Sequence, residues 1–428
     1  MYSIEPRIVV IALNTAITLL GVVAVFRAYR SSEKTVFLNY NFYLLVFGVF
    51  YLSLPAIILN TTGRSIFGTS RETWLVTGYL SAYFNFIFLV FFACSRKDRG
   101  IKEVGYSIHG LSGLAIPILA IGNLLLFLLI YYYWPQLMGA WGNRGLQSSL
   151  SSSIWTTYKI YPLFLFSTML LTYVILHTRK LKYLIFLSPF LVWDVLTMSR
   201  SHILLIFLLV IVLISLLNYK VHILRVGLIL FVIASIAVIR TGNFNPRHVV
   251  ASITGEFTNT YATANLMQEA NQSCKVGPAL KLMIMRTFIT KSMYDDIFGD
   301  YVPFMTYAGE LNPLKAVTGL GGSMLGEAIS FKNKLVLLLF PIVIACYGVL
   351  MNVFVAKGGY AGKMLFILAI LEIFDVFRGS FVITAMYPFQ LILYLGSIFV
   401  FSDLLIARFK AGRSLSRNNT LAEAETGM

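Results

Sequence analysis

Apolar residues run along this chain in blocks of roughly 20, and polar residues collect in the gaps between them. About 20 apolar residues are what an α-helix needs to cross a hydrocarbon core of about 30 Å. Such runs fall near 8–26, 36–59, 74–94, 110–133, 155–176, 183–199, 201–217, 226–240, 335–356, 364–378 and 385–407, which predicts about eleven transmembrane helices. Two tight pairs, 183–217 and 364–407, turn at "SRSH" and "FRGS", so each reads as a hairpin with a polar tip. The first run follows a start with one acidic and one basic residue and no small-residue cleavage site, and is expected to be a retained helix rather than a signal peptide.

Composition agrees with the pattern. The chain is 58% hydrophobic and only 12% charged, with a mean hydropathy of +0.79, whereas a soluble domain is about 25% charged. An all-α polytopic membrane protein is the class these values define. The net charge of +16 does not point to nucleic acid, because the basic residues form short clusters between apolar runs instead of a stripe or domain. Their placement is topological. "RAYRSSEK" (27–34), "SRKDRGIKE" (95–103), "TRKLK" (178–182), "NYKVHILR" (218–225), "KGGYAGK" (357–363) and the tail with Arg408, Lys410, Arg413 and Arg417 alternate with basic-poor connections. Positive connections stay cytoplasmic, so the N-terminus is expected outside and the C-terminus inside. Cys94, Cys274 and Cys346 lie far apart, without disulfide or zinc spacing.

The chain then divides into eight N-terminal membrane helices (1–240), a large external loop (241–334), three C-terminal helices (335–407) and a polar, disordered tail (408–428). A loop of this length is expected to contain elements of its own. Residues 249–271 and 278–298 both place apolar residues at helical spacing, and "LKLMIMRTFI" is apolar enough to lie on the membrane surface.

Charged residues at membrane depth cost roughly 2.5 kcal/mol or more and mark polar cavities. Asp194 lies about a turn and a half inward from Arg200, with His202 at the same tip; Glu372, Asp375 and Arg378 are three apart and share a helix face. Arg240 ends a helix before Arg247 and His248. Arg200, Arg240, Arg247 and Arg378 thus collect at one level on the outer side, and guanidinium forks suit phosphate oxygens. Each arginine is equally open to a simpler reading, snorkelling to lipid headgroups, and Asp375 with Arg378 to a structural i,i+3 pair. Glycines 319, 321, 322 and 326 precede Glu327 near the membrane, where a carboxylate beside apolar surface suits a general base or a helix-start acid. No "GxxxxGK[ST]" occurs, which excludes a P-loop nucleotide site.

The "TMSRSHILL" tip (197–205), "VIRTGNF" (238–244) before the external loop, and "GGSMLGEAISFKNKL" (321–335) running into "YGVLMN" (347–352) together resemble the Wzy-type O-antigen or oligosaccharide repeat-unit polymerases, relatives of the O-antigen ligases. That resemblance covers roughly 190–355 and the overall topology. It implies a GT-C-like glycosyltransferase in the bacterial inner membrane, with a large, partly helical periplasmic loop. Such an enzyme extends undecaprenyl-pyrophosphate-linked oligosaccharides by inverting transfer, with neither metal nor other cofactor, among membrane lipids and beside a flippase and a chain-length regulator. Carried onto this chain, it implies Arg200, Arg240, Arg247 and Arg378 at the pyrophosphate. Glu327, His248 or Glu310 is then the base, with Glu256 behind them, and Asp194, His202 and Asp375 in support. A transporter or flippase of a lipid-linked saccharide is the rival reading, and a membrane acyltransferase is the third.

Overall fold

The computed structural model describes residues 5–31, 36–63, 69–95, 111–140, 144–197, 201–219, 246–270, 273–299, 301–302, 323–394 and 396–397. These are predominantly helical, with no strand among the described residues. Among the described residues, six helices are long and apolar enough to cross a membrane: Pro6–Ser31, Tyr40–Thr62, Arg71–Cys94, Ala115–Gly139, Ile160–Thr178 and Lys334–Lys357. The other expected runs are shorter or more charged, and the expected helix at 226–240 and the tail at 408–428 lie outside the described residues.

In chain order the helices are α1 (Pro6–Ser31), α2 (Tyr40–Gly48), α3 (Leu54–Thr62), α4 (Arg71–Cys94), α5 (Leu111–Gly139), α6 (Arg144–Thr157), α7 (Ile160–Thr178), α8 (Ser188–Leu196) and α9 (Ser201–Leu216). The segment expected as a loop then contributes α10 (Pro246–Glu269), α11 (Val276–Met285), α12 (Lys291–Ile297) and α13 (Met324–Ser330). Last come α14 (Lys334–Lys357), α15 (Gly359–Arg378) and α16 (Phe381–Tyr394). A separate α6 is a departure from the sequence pattern, which left 134–154 as a connection. Its serine-rich composition carries too little apolar signal to announce a helix.

α15 is the centre of the bundle. Leu365 to Ile373 are all buried, and the helix packs on α2, α7, α9 and α14. A helix apolar on every side belongs in an interior. α1 and α5 are the opposite case, with Leu19, Leu20, Leu124, Leu125 and Leu128 exposed, as lipid-facing helices require. Tyr131, Tyr132 and Trp134 are also exposed near the end of α5; rings with one polar end collect at the membrane–water boundary.

Neutral amides hold the bundle together. Asn14 Nδ2 donates to the carbonyls of Val10 (3.0 Å) and Gly78 (3.1 Å), joining α1 to α4. α2 and α3 are joined through a π-helical turn over Val49–Ser53, just before Pro55. Asn85 Nδ2 on α4 donates to the Gly48 carbonyl (3.1 Å) and Ser53 Oγ (2.6 Å) at that turn, supplying the partners that a disturbed ladder needs. Asn352 on α14 accepts from the Tyr40 amide (2.6 Å) and donates to Asn39 Oδ1 (2.9 Å), which itself caps α2.

The helices between α9 and α14 are fastened to the rest of the bundle. Phe257 packs on Tyr51 at the π turn. Glu269 accepts from the Ser70 amide (2.6 Å) and Thr73 Oγ1 (2.8 Å), capping α4. Lys332 Nζ donates to the last carbonyls of α10, Met267 (2.6 Å) and Gln268 (3.1 Å). α11 bears out its sequence pattern as a two-faced helix: Val276, Leu280 and Ile284 are exposed while Ala279 and Leu282 are buried. Its far end is tied to α16, because Tyr394 Oη donates to the Phe288 carbonyl at 2.6 Å.

Candidate functional site

A cavity of about 360 Å³ opens where α7, the turn after α11, α15 and α16 meet, lined by Tyr161, Arg286, Thr290, Glu372, Asp375, Ile383, Thr384, Tyr387 and Gln390. Each wall arises from a local feature. Tyr161 stands in the first turn of α7, Glu372 and Asp375 face it one turn apart near the end of α15, and Ser380 caps α16 through the Ile383 amide. Arg286 closes α11. All these positions lie at the helix ends away from the basic connections at 178–182 and 357–363. Tyr158, just before α7, meets Tyr133 of the exposed aromatic group on α5 (3.2 Å between hydroxyls). Exposed aromatic rings of this kind collect at membrane–water boundaries.

Charge in this cavity is set against neutral partners. Arg286 is only 9% exposed. Its Nη1 donates to Gln390 Oε1 (3.1 Å), its Nε to the Ile383 carbonyl (3.4 Å), and its guanidinium lies 5.2 Å from the Tyr387 ring. No carboxylate stands within ion-pair distance of it among the described residues. Burial lowers its pKa from the usual value, yet an arginine stays charged. Of its five N–H groups, those not used by Gln390 and Ile383 remain for a ligand. Opposite, Tyr161 Oη lies 3.0 Å from Glu372 Oε1 and 3.1 Å from Asp375 Oδ2. The cavity thus offers a buried cation, paired acids, a phenol and amide and hydroxyl groups, a set that can hold an anion and hydroxyl-rich neighbours.

Of the residues expected from the sequence, Asp375 lines the cavity. Arg378 is half-buried at the end of α15, its guanidinium 5.5 Å from the Phe374 ring, outside the lining. Asp194 and His202 pair with each other, His202 Nδ1 to Asp194 Oδ1 at 2.7 Å, and both are buried. Asp194 also accepts from the Ile203 amide at 3.0 Å, and the His202 ring packs on Phe164 and Phe190. They close the α8–α9 hairpin onto α7 and do not line the cavity. Glu327 is fully buried; its carboxylate accepts from Ser380 Oγ and from the amides of Phe381 (2.7 Å) and Val382 (3.4 Å). It caps α16, whose next turns form the cavity wall. Arg200, Arg240 and Glu310 lie outside the described residues, and of Arg247, His248 and Glu256 only the helical backbone is described.

Arg286, Tyr161, Glu372, Tyr387 and Gln390 were not singled out as site residues by sequence. Arg286 follows "LKLMIM", where an apolar surface helix was expected; it falls on the same face as the buried Ala279 and Leu282 rather than on the exposed stripe. No family model, no curated protein and no solved structure matches this chain.

Proposed function

We propose that this membrane protein is a glycosyltransferase that polymerises lipid-linked oligosaccharide repeat units at the outer face of the bacterial inner membrane. The observation that carries this reading is Arg286: a buried guanidinium whose hydrogen-bond partners among the described residues are an amide oxygen and a carbonyl, in a polar cavity lined also by two carboxyl groups. A buried charge without a contact ion pair is costly; Glu372 and Asp295 act on Arg286 only through space, and an anionic ligand in hydrogen-bonding contact offsets more of that cost. The pyrophosphate of an undecaprenyl-linked donor has the right charge and depth, and its lipid stays in the membrane. Arg286 holds the pyrophosphate and stabilises the charge that develops on it as leaving group. Arg378, and Arg247, Arg240 and Arg200 if the positive-inside expectation holds for them, support the approach of the anionic donor. Tyr387, Gln390, Thr290 and Thr384 offer ring and hydrogen-bonding surface to sugar. The sequence resemblance to the Wzy-type polymerases supplies the reaction: inverting, metal-independent transfer of growing chain onto a new lipid-linked unit.

A flippase of a lipid-linked saccharide is the second reading, and the acid pair buried in the bundle favours it, since intramembrane carboxylates also serve transport. Deleting the gene and displaying the surface polysaccharide by length separates the two. A polymerase deletion leaves a single repeat unit attached and no ladder. Loss of every repeat unit identifies an export step instead, and an unchanged ladder contradicts both.

A further inference from the structure

Resting on the polymerase reading, we infer that Asp375, backed by Tyr161 and Glu372, is the catalytic base that takes the proton from the acceptor sugar hydroxyl. Asp375 Oδ2 and Glu372 Oε1 converge on one phenol oxygen at 3.1 and 3.0 Å, and all three groups line the cavity that holds Arg286. Glu372 is 3% exposed and is the deeper group, whereas Asp375 is half-buried and faces the space a ligand would fill.

A phenol has one hydrogen to donate. Given to Glu372, it leaves the phenol's lone pairs towards Asp375, an arrangement completed when Asp375 carries a proton. Two carboxylates and one hydroxyl are therefore built to receive one more proton, with a hydrogen bond waiting for it. Glu327, by contrast, has its carboxylate taken by Ser380, Phe381 and Val382 and is sealed from the cavity.

In the step itself, the acceptor O–H bond breaks and its proton passes to Asp375. The freed oxygen forms the bond to the anomeric carbon of the donor. The bond from that carbon to the pyrophosphate oxygen breaks, and its electron pair leaves on the pyrophosphate beside Arg286. Asp375 later returns the proton to water. Glu372 and Tyr161 are positioning residues.

The probe is the lipid-linked repeat unit extracted from the deletion strain and returned to the purified, full-length protein in lipid nanodiscs. Asp375→Asn is expected to lower chain extension by about 10²–10⁴-fold, the usual share of a general base, while binding of the extracted unit is kept. Asp375→Glu is expected to keep at least about a tenth of the rate, by the same measure. A purely structural Asp375 predicts otherwise, because asparagine still hydrogen-bonds the phenol; extension within about threefold of wild type overturns the assignment. Should Asp375→Asn fail to accumulate, Tyr161→Phe is read in its place, with a loss of about tenfold or more expected and an unchanged rate overturning the assignment. Failure of the wild-type protein itself to extend the unit, together with an unaltered ladder in the deletion strain, overturns the polymerase reading and the base with it.

Discussion

The amide-clasped scaffold of α1–α4 and α14 and the cavity between α7, α11, α15 and α16 both bury polar groups, but they satisfy them differently. In the scaffold, Asn14, Asn85 and Asn352 bond to backbone or neighbouring side chains, and every partner is neutral. In the cavity, charged Arg286 meets an amide oxygen, a carbonyl and a ring, and two carboxyl groups share one phenol. Neutral amides in an apolar interior fasten helices without leaving net charge. Ionisable groups set against neutral partners leave charge to be met by something else, and that difference separates holding a fold from handling a ligand.

The comparison breaks most visibly at Arg286. Arg286→Lys is expected to cut chain extension by about 100-fold or more, because a point charge does not reproduce the fork, while yield and melting temperature stay near wild type. Equal losses of melting temperature and extension would place Arg286 with the scaffold. Asn85→Leu is the converse case. It strips the Gly48 carbonyl and Ser53 hydroxyl of a donor and is expected to cost about 1–3 kcal/mol of stability, read by thermal unfolding in detergent, with the rate per folded molecule unchanged.

Glu327 lies between the two regions, a buried acid used as a helix cap. Burial pushes its carboxyl from 4.5 up to about 7, against the hydrogen bonds from Ser380, Phe381 and Val382. A raised carboxyl pKa favours the folded state while protonated, so its contribution is full below about pH 4.5 and lost as pH rises through 7. Melting temperature should therefore fall more steeply between pH 4.5 and 7 in wild type than in Glu327→Gln, and identical slopes would count against this assignment. Arg378→Lys is expected to have the smallest effect, a change of extension of a few fold, since the side chain lies outside the cavity lining; a 100-fold loss would move Arg378 into the site.

Long apolar runs and helical spacing reveal the all-helical membrane character and the helices between α9 and α14, because each rests on a pattern within one segment, whereas the break between α11 and α12 does not show in that pattern. The site was less legible. Asp375 was found because a charge at membrane depth is conspicuous, and Glu372 was noticed beside it for the same reason. Tyr161 and Gln390 are unremarkable in sequence, and only the meeting of α7 with α15 and of α11 with α16 gives them a role. Asp194 and His202 show the reverse: their charge drew attention, yet they satisfy each other and seal a hairpin. Glu327 was noticed for its place beside apolar surface, but the donors it serves are some fifty residues further along the chain.

The central claim is that the Arg286 cavity holds the pyrophosphate of a lipid-linked saccharide. The most direct measurement is an experimental density map of the full-length protein in nanodiscs with the extracted lipid-linked repeat unit. The account predicts phosphate density within hydrogen-bonding reach of the Arg286 guanidinium and the first sugar between Tyr387 and Asp375. A saccharide seated elsewhere, with the cavity filled only by solvent, would contradict it.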